Sequence, residues 1–126
     1  QYPHFPGTGT ALEKGIGEGE GTTFNFPVSP GYGDSQYLQI FEHELVPVLE
    51  DFGPQFLIIS AGFDAHRRDP LGDVELTENG YRELTMILKD VAERCCGGRL
   101  VSVLEGGYEL EATAASAEEH VLALIE

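Results

Sequence analysis

Two side chains capable of chemistry, Asp64 and Tyr108, each lie four residues beyond a short apolar run. The first run ends at Ser60 and the second ends at Leu104. An aspartate in a loop of this kind can ligate a metal, act as a general base or bond the backbone amides around it. A tyrosine preceded by two glycines can donate a hydrogen bond to a closely approaching ligand or pack as an aromatic. Residue type alone leaves these roles open.

The two apolar runs predict neighbouring strands of a parallel sheet. Residues 55–60 and 100–104 contain short, continuous apolar stretches, a pattern typical of strands that are buried on both faces. The segment between them predicts a helix that is capped by Thr77 and ended by two glycines. Its apolar face carries residues at helical spacing: Tyr81, Leu84, Ile87 or Leu88, Val91 and Cys95. Because ligands bind beyond the carboxyl ends of parallel strands, we expect Asp64 and Tyr108 to face one pocket.

The flanking segments predict a loop region followed by helices. Residues 1–33 are rich in Gly and Pro, so we expect loops there, with one short strand over residues 23–27. A helix is expected over residues 34–52, with a kink at Pro47. A last helix should bury one apolar face: Leu110, Ala114, Ala117, Val121 and Leu124. The predicted fold class is therefore α/β, with residues 34–126 as the α/β portion.

Charge and composition limit the classes of partner. The formal net charge of −15, with only 7 Lys and Arg residues, argues against a nucleic-acid-binding surface. A cationic partner or substrate suits this balance better, although dispersed acidic residues also serve solubility. No apolar run is long enough to cross a bilayer, so we expect no membrane partner. Adjacent Cys95 and Cys96 suit neither a disulfide nor a structural zinc site, which favours a reducing, cytoplasmic compartment.

Four motifs in order resemble segments of the histone deacetylase and acetylpolyamine amidohydrolase superfamily. Residues 60–66 (SAGFDAH), followed by DPLG and LTENGY over residues 69–81, resemble its metal-binding segment. Residues 104–110 (LEGGYEL) resemble its catalytic-tyrosine segment, and residues 5–9 (FPGTG) and 19–27 (GEGTTFNFP) resemble its glycine-rich stretch. The resemblance implies the C-terminal portion of a single bacterial-type deacetylase domain. Its arginase-deacetylase fold is a three-layer parallel sheet with flanking helices, of which this chain would form part.

The resemblance also implies roles for individual residues. Asp64 matches one of three protein ligands to zinc, and Tyr108 matches the tyrosine that hydrogen-bonds the scissile acetamide oxygen. Phe5 and Leu71 match walls of the tunnel that holds the acyl-lysine stem, and Gly107 matches a glycine beside it. The implied reaction is zinc-dependent hydrolysis of an acetyl-amide on lysine, on a polyamine or on another small amine.

The chain departs from the family pattern in its metal ligands. The other two zinc ligands, an Asp-x-His pair, and the paired histidines of the family belong to segments upstream of Gln1. Asp64 and His66 form an Asp-x-His, but only the aspartate of this segment ligates in the family. The chain also begins inside what reads as a functional loop, and we expect it to be part of a longer protein. The isolated chain is therefore expected to bind zinc weakly or not at all and to be inactive.

The sequence also bears on two other functions. The first is a truncated, non-catalytic interaction module without bound metal, which nothing in the residues excludes. Its unpaired sheet edge would favour self-association. A nucleotide-binding loop in the glycine-rich stretch is disfavoured, because no G-x-G-x-x-G follows a strand and Glu18 and Glu20 would repel phosphate.

Overall fold

The computed structural model describes every residue, Gln1–Glu126, and divides into two units, Gln1–Pro30 and Gly31–Glu126. The division falls at Pro30, whereas the glycine-rich region was expected to end at residue 33. Whether both units belong to a single domain stays a prediction.

The first unit consists mainly of loops, with one short 3-10 helix at Gly17–Gly19. The carboxylate of Glu13 organises part of it, accepting hydrogen bonds from the backbone N–H groups of Gly9 and Thr10 at 3.0 Å. The bonds from Thr10 and Gly9 lower the pKa of Glu13. The prediction of a strand over residues 23–27 is wrong, because no neighbouring segment pairs with these residues.

The second unit contains four α-helices and two strands; two of the helices replace the single helix expected over residues 34–52, and the order of the elements is otherwise as predicted. The first two helices, α1 (Asp34–Ile40) and α2 (Val46–Phe52), precede strand β1 (Leu57–Ala61). Helix α3 (Glu78–Cys96) leads to strand β2 (Leu100–Leu104), and helix α4 (Leu110–Ile125) follows. The predicted fold class, α/β with a parallel sheet and flanking helices, is confirmed.

A π-helical turn at Phe41–Leu45 joins α1 to α2, where the sequence predicts a kink at Pro47. Pro47 has no N–H group and cannot donate to the carbonyl four residues earlier. The turn before it adopts the wider pattern, in which Val46 N–H donates to the carbonyl of Phe41. The helix is therefore irregular at Phe41–Leu45, before the proline, and not at Pro47 itself.

The two strands are parallel, with Leu57 opposite Leu100 and Ala61 opposite Leu104. Helices cover the face that carries Leu57 and Ala61, which pack against side chains of α3. The opposite face is open, with 67% of Ile58 exposed. The expectation that both strands are buried on both faces is therefore wrong for this chain, which covers its sheet on one side only.

Helix α3 is the central helix of the second unit. The side chain of Thr77 caps it as predicted, accepting a hydrogen bond from Gly80 N–H at 3.2 Å. Gly97, at φ 60°, ends it in a left-handed conformation that glycine adopts without strain. Its buried face includes Cys96 where Cys95 was expected, and both cysteines are free.

Helix α4 packs on a different face from the predicted one. Leu110 is 82% exposed and Val121 is 50% exposed. The buried residues are mostly small or polar: Ala112, Ser116, His120 and Ala123. Small side chains let α4 lie close to the rest of the unit, and His120 satisfies both ring nitrogens through Thr85 and Ser102. An apolar stripe alone could not predict this face.

The first strand also has a free edge, because the sheet contains only β1 and β2. The predicted self-association through such an edge stays a prediction. None of the helices combines the length and the apolar character that crossing a membrane requires.

Candidate functional site

The pairing of β1 with β2 continues beyond the strand ends into two loops. Glu105 N–H donates to the carbonyl of Ala61 at 3.0 Å, and Phe63 N–H donates to the carbonyl of Gly106 at 2.7 Å. Asp64 follows Phe63 directly, and Tyr108 lies two residues beyond Gly106. The structure therefore brings the loops of both residues together at the carboxyl ends of adjacent parallel strands, as the sequence predicts.

The carboxylate of Asp64 lies between two glycines. A Cβ on Gly62 would stand 2.8 Å from Oδ1, and a Cβ on Gly106 would stand 2.7 Å from Oδ2. No real Cβ contact is this short, so both positions require glycine if Asp64 keeps its place. None of the side-chain hydrogen bonds or ion pairs of the chain involves this carboxylate. Its oxygens are therefore free to bind a cation.

Two tyrosines lie near the charge of Asp64. Burial and, to a smaller extent, the negative charge of Asp64 raise the pKa of Tyr37 to about 12. Burial and then Asp64 also raise the pKa of Tyr81. Both phenols line an apolar cavity of about 170 Å³ that borders the Asp64 loop at Gly62 and Ala65. None of the ion pairs of the chain involves Asp64.

Asp69 joins the two loops and was missed by the sequence prediction. Its Oδ1 accepts a hydrogen bond from Leu71 N–H at 2.9 Å, and its Oδ2 accepts one from Tyr108 N–H at 2.8 Å. The residue is only 7% exposed. The signal for the first bond was present in the Asp-Pro dipeptide, because aspartate commonly bonds the amide two residues on. Nothing local signals the second bond, which spans 39 residues.

Tyr108 is exposed at the end of its loop, with 56% of its surface accessible. Gly107 before it has φ 148°, a conformation that side chains rarely adopt. A Cβ on Gly107 would also approach Thr113 Oγ1 to 2.6 Å and Phe63 Cβ to 3.3 Å. The backbone entering Tyr108 is thus packed tightly while its ring remains accessible to a ligand.

Glu109, the residue after Tyr108, forms an ion pair with Arg68 of the Asp64 loop. Arg68 Nη2 lies 3.1 Å from Glu109 Oε2 and 2.9 Å from Glu111 Oε2. The other role of Glu109 is to cap α4, because its carboxylate accepts a hydrogen bond from Ala112 N–H at 2.7 Å. The start of α4 is therefore connected to the Asp64 loop through Arg68.

One ring nitrogen of His66 accepts a hydrogen bond within the chain, and the other lies near a carboxylate. It is 1% exposed, and its Nδ1 accepts a hydrogen bond from Arg68 N–H at 3.1 Å. Nε2 therefore carries the proton, and it lies 3.3 Å from Glu78 Oε1. That contact has the distance of an ion pair but not the geometry of a hydrogen bond. The arrangement makes His66 a structural residue that fixes the loop against α3.

The remaining predicted site residues are exposed apolar side chains. Leu71 is 57% exposed and lies in the Asp64 loop, next to the bond from Asp69. Phe5, in the first unit, is 93% exposed. Their roles as tunnel walls stay predictions. No group of three or more His, Cys, Asp or Glu residues in the chain is arranged to hold a metal ion.

Comparison with known proteins covers nearly the whole chain. A family model described as "Histone deacetylase domain" matches residues 1–124. A "Probable deacetylase" of Archaeoglobus fulgidus is 48% identical over 88% of this chain and 31% of its own length. A "Histone deacetylase-like amidohydrolase" of Pseudomonas aeruginosa is 42% identical over 82% of this chain and 27% of its own length.

A solved structure also matches nearly the whole chain. The "Crystal Structure of HDA15 HD domain" superposes with a TM-score of 0.89 at 44% identity, covering 98% of this chain and 34% of that chain. The chain thus spans about a third, or less, of the length of the proteins that it matches.

Proposed function

Since the chain belongs to the histone deacetylase family, we propose that it forms part of a zinc-dependent deacetylase that hydrolyses an acetyl-amide on a lysine or a related amine. The observation that carries this proposal is the Asp64 carboxylate. It is enclosed by two glycines, engaged by none of the side-chain hydrogen bonds, and placed on the loop paired with that of Tyr108. A free carboxylate beside a hydrogen-bond donor is what a metal-assisted amide hydrolase requires.

Asp64 fits a zinc ion as one ligand of a larger set. Carboxylate oxygen is an ordinary zinc ligand, and catalytic zinc normally has three protein ligands. The chain offers no cluster of three, so the other ligands of the proposed site come from residues outside Gln1–Glu126. When bound, zinc would polarise the acetamide carbonyl and lower the pKa of a coordinated water.

Tyr108 supplies the proposed hydrogen bond to the substrate oxygen. Its hydroxyl donates to the carbonyl oxygen of the acetamide. As the carbonyl carbon is attacked, negative charge develops on that oxygen and the hydrogen bond strengthens. The bond is thus stronger in the transition state than in the ground state, which is the condition for acceleration.

The proposed substrate is an acetylated lysine, polyamine or other small amine. Leu71 is an exposed apolar side chain in the Asp64 loop and suits contact with an alkyl stem. We assign substrate-binding roles to Phe5 and to Gly107 by family membership. The net charge of −15 favours cationic amines over anionic substrates. A cytoplasmic location is part of the proposal.

A second candidate function is that of a non-catalytic, metal-free interaction module. The observation that favours it is the open sheet face, where Ile58 is 67%, Val101 46% and Val103 50% exposed. Exposed apolar surface of this kind marks a contact with another protein surface.

One experiment separates the two functions. The full-length protein is purified, its zinc content is measured, and turnover is followed on acetyl-lysine peptides and acetylpolyamines. The deacetylase proposal expects stoichiometric zinc and turnover of at least one substrate class. A metal-free protein that turns over neither class supports the interaction module and contradicts the proposal.

A further inference from the structure

The carboxylate of Asp69 connects two residues of the proposed site. One oxygen accepts from Leu71 N–H and the other accepts from Tyr108 N–H. The first bond lies within a local turn, where it shapes its own loop. The second bond reaches the other loop, which a purely local role would not require.

Asp69 is itself held firmly. Its own N–H donates to the carbonyl of His66 at 2.8 Å, and His66 is buried and bonded to Arg68 N–H. Asp69 is 7% exposed, so its charge depends on these two donors in place of water. Hydrogen bonds to an ionised carboxylate are stronger than those between neutral groups. The position of Asp69 is therefore fixed, and its carboxylate restrains the two N–H groups that donate to it.

The backbone of Tyr108 is not restrained by helical hydrogen bonds of its own. Helix α4 begins at Leu110, and the first helical bond of this region runs from Thr113 N–H to the carbonyl of Glu109. Tyr108 thus precedes the helix, and the partner of its N–H group is Asp69. The direction in which the ring leaves the backbone is set at this residue.

We propose that Asp69 is a positioning residue, which places the Tyr108 hydroxyl relative to Asp64 and holds Leu71 beside it. This inference rests on the proposed deacetylase function. Asp69 touches neither substrate nor metal, and it acts through the N–H group of Tyr108. A displacement of a catalytic group by about 1 Å lowers turnover by roughly 100-fold, so the effect of losing this bond falls on kcat.

The test uses Asp69→Asn in the full-length protein. Asparagine keeps one acceptor oxygen and replaces the other with an NH2 group, which cannot accept from an N–H donor. We expect kcat to fall about 10- to 100-fold, KM to change less than about 3-fold and zinc content to stay at the wild-type level. Asp73→Asn, an exposed aspartate in the same loop, is the matched control and should behave as wild type.

A double variant distinguishes positioning from a general structural role. Once Tyr108→Phe has removed the hydroxyl, moving the ring has little further effect, so Asp69→Asn should reduce kcat less than about 3-fold in that background. An equal fold-loss in both backgrounds would overturn the proposal. Zinc loss in Asp69→Asn, or turnover within about 2-fold of wild type, would overturn it as well. Asp69→Glu, which keeps the charge but shifts it by one methylene, replaces the asparagine variant if that variant does not fold.

A separate measurement does not depend on activity. Hydrogen exchange at the Tyr108 amide should be at least about 10-fold faster in Asp69→Ala than in wild type, because alanine removes both acceptor oxygens and with them the bond that protects this amide. Unchanged exchange would contradict the inference even in an active enzyme. If exchange is faster but the protein has no deacetylase activity, the bond between Asp69 and Tyr108 is supported and only the proposed function is contradicted.

Discussion

The carboxylate of Asp64 lies directly against Gly106, two residues before Tyr108. A Cβ on Gly106 would stand 2.7 Å from Oδ2 and 3.0 Å from Cγ of Asp64. Any side chain at this position must therefore displace the proposed zinc ligand. The loop that carries the proposed catalytic tyrosine thus also contacts the proposed metal ligand.

We expect Gly106→Ala to weaken zinc binding and to lower turnover about 10- to 100-fold, because the added methyl group pushes the Asp64 carboxylate aside. Metal content of the purified full-length protein and its steady-state kinetics measure the two effects. Gly19→Ala is the control, since a Cβ there meets Thr22 Oγ1 at an ordinary 3.5 Å. Full zinc occupancy with wild-type turnover in Gly106→Ala would show that Asp64 is not held as described.

A second prediction concerns the start of α3. The carboxylate of Asp34 accepts hydrogen bonds from Thr77 N–H at 2.8 Å and Thr77 Oγ1 at 2.6 Å. A Cβ on Gly80 would overlap Asp34 Oδ1. We expect Gly80→Ala to lower the free energy of unfolding by about 1–3 kcal/mol through this overlap, as measured by denaturant unfolding.

The neighbouring Asn79→Ala is the control for helix propensity, because its side chain lies on the exposed side of α3. In an Asp34→Ala background the overlap with Gly80→Ala disappears, so the double variant should lose less stability than the sum of the single variants. Strict additivity of the two losses would rule out the proposed clash.

A third prediction concerns His120. Thr85 Oγ1 donates to the carbonyl of Tyr81 at 2.6 Å, so it accepts the proton of His120 Nδ1, and His120 Nε2 accepts from Ser102 Oγ at 2.8 Å. Burial lowers the pKa of this imidazole below its ordinary value of 6.5. Below pH 6.5 the unfolded state binds the proton more readily than the folded state, so stability falls as the pH falls.

Thermal unfolding between pH 7.5 and pH 5 tests whether stability falls as the pH falls. The decrease in Tm of wild type over this range should be smaller in His120→Gln and unchanged in His43→Gln, because His43 is exposed. The acidic residues with lowered pKa values titrate below this range, so they do not mask the effect. An equal decrease in wild type and His120→Gln would remove His120 as its source.

The strands, α3 and the loops that carry Asp64 and Tyr108 could be predicted from the sequence. Their signals are local: continuous apolar runs, Thr77 as a cap, and glycines that end a helix or precede a tyrosine. The buried face of α4 could not be predicted from apolar spacing. Ser116 and His120 occupy that face, and the burial of His120 depends on partners in other elements, Thr85 and Ser102.

The same distinction holds within the candidate site. Asp64 and Tyr108 were predicted because parallel strands bring their loops to one edge. The bond from Tyr108 to Asp69 joins residues that are distant in sequence, and no local pattern indicates which of several aspartates receives it. Side-chain partners across loops depend on packing, which single-sequence patterns do not describe.

The most direct test of the proposed function measures zinc content and turnover together in two variants of the full-length protein. We expect Asp64→Ala to lose zinc and activity, because a ligand is removed, and Tyr108→Phe to keep zinc while kcat falls about 100- to 1,000-fold, because one oxyanion donor is removed. Zinc retained at full occupancy in Asp64→Ala, or near-wild-type turnover in Tyr108→Phe, would contradict these roles.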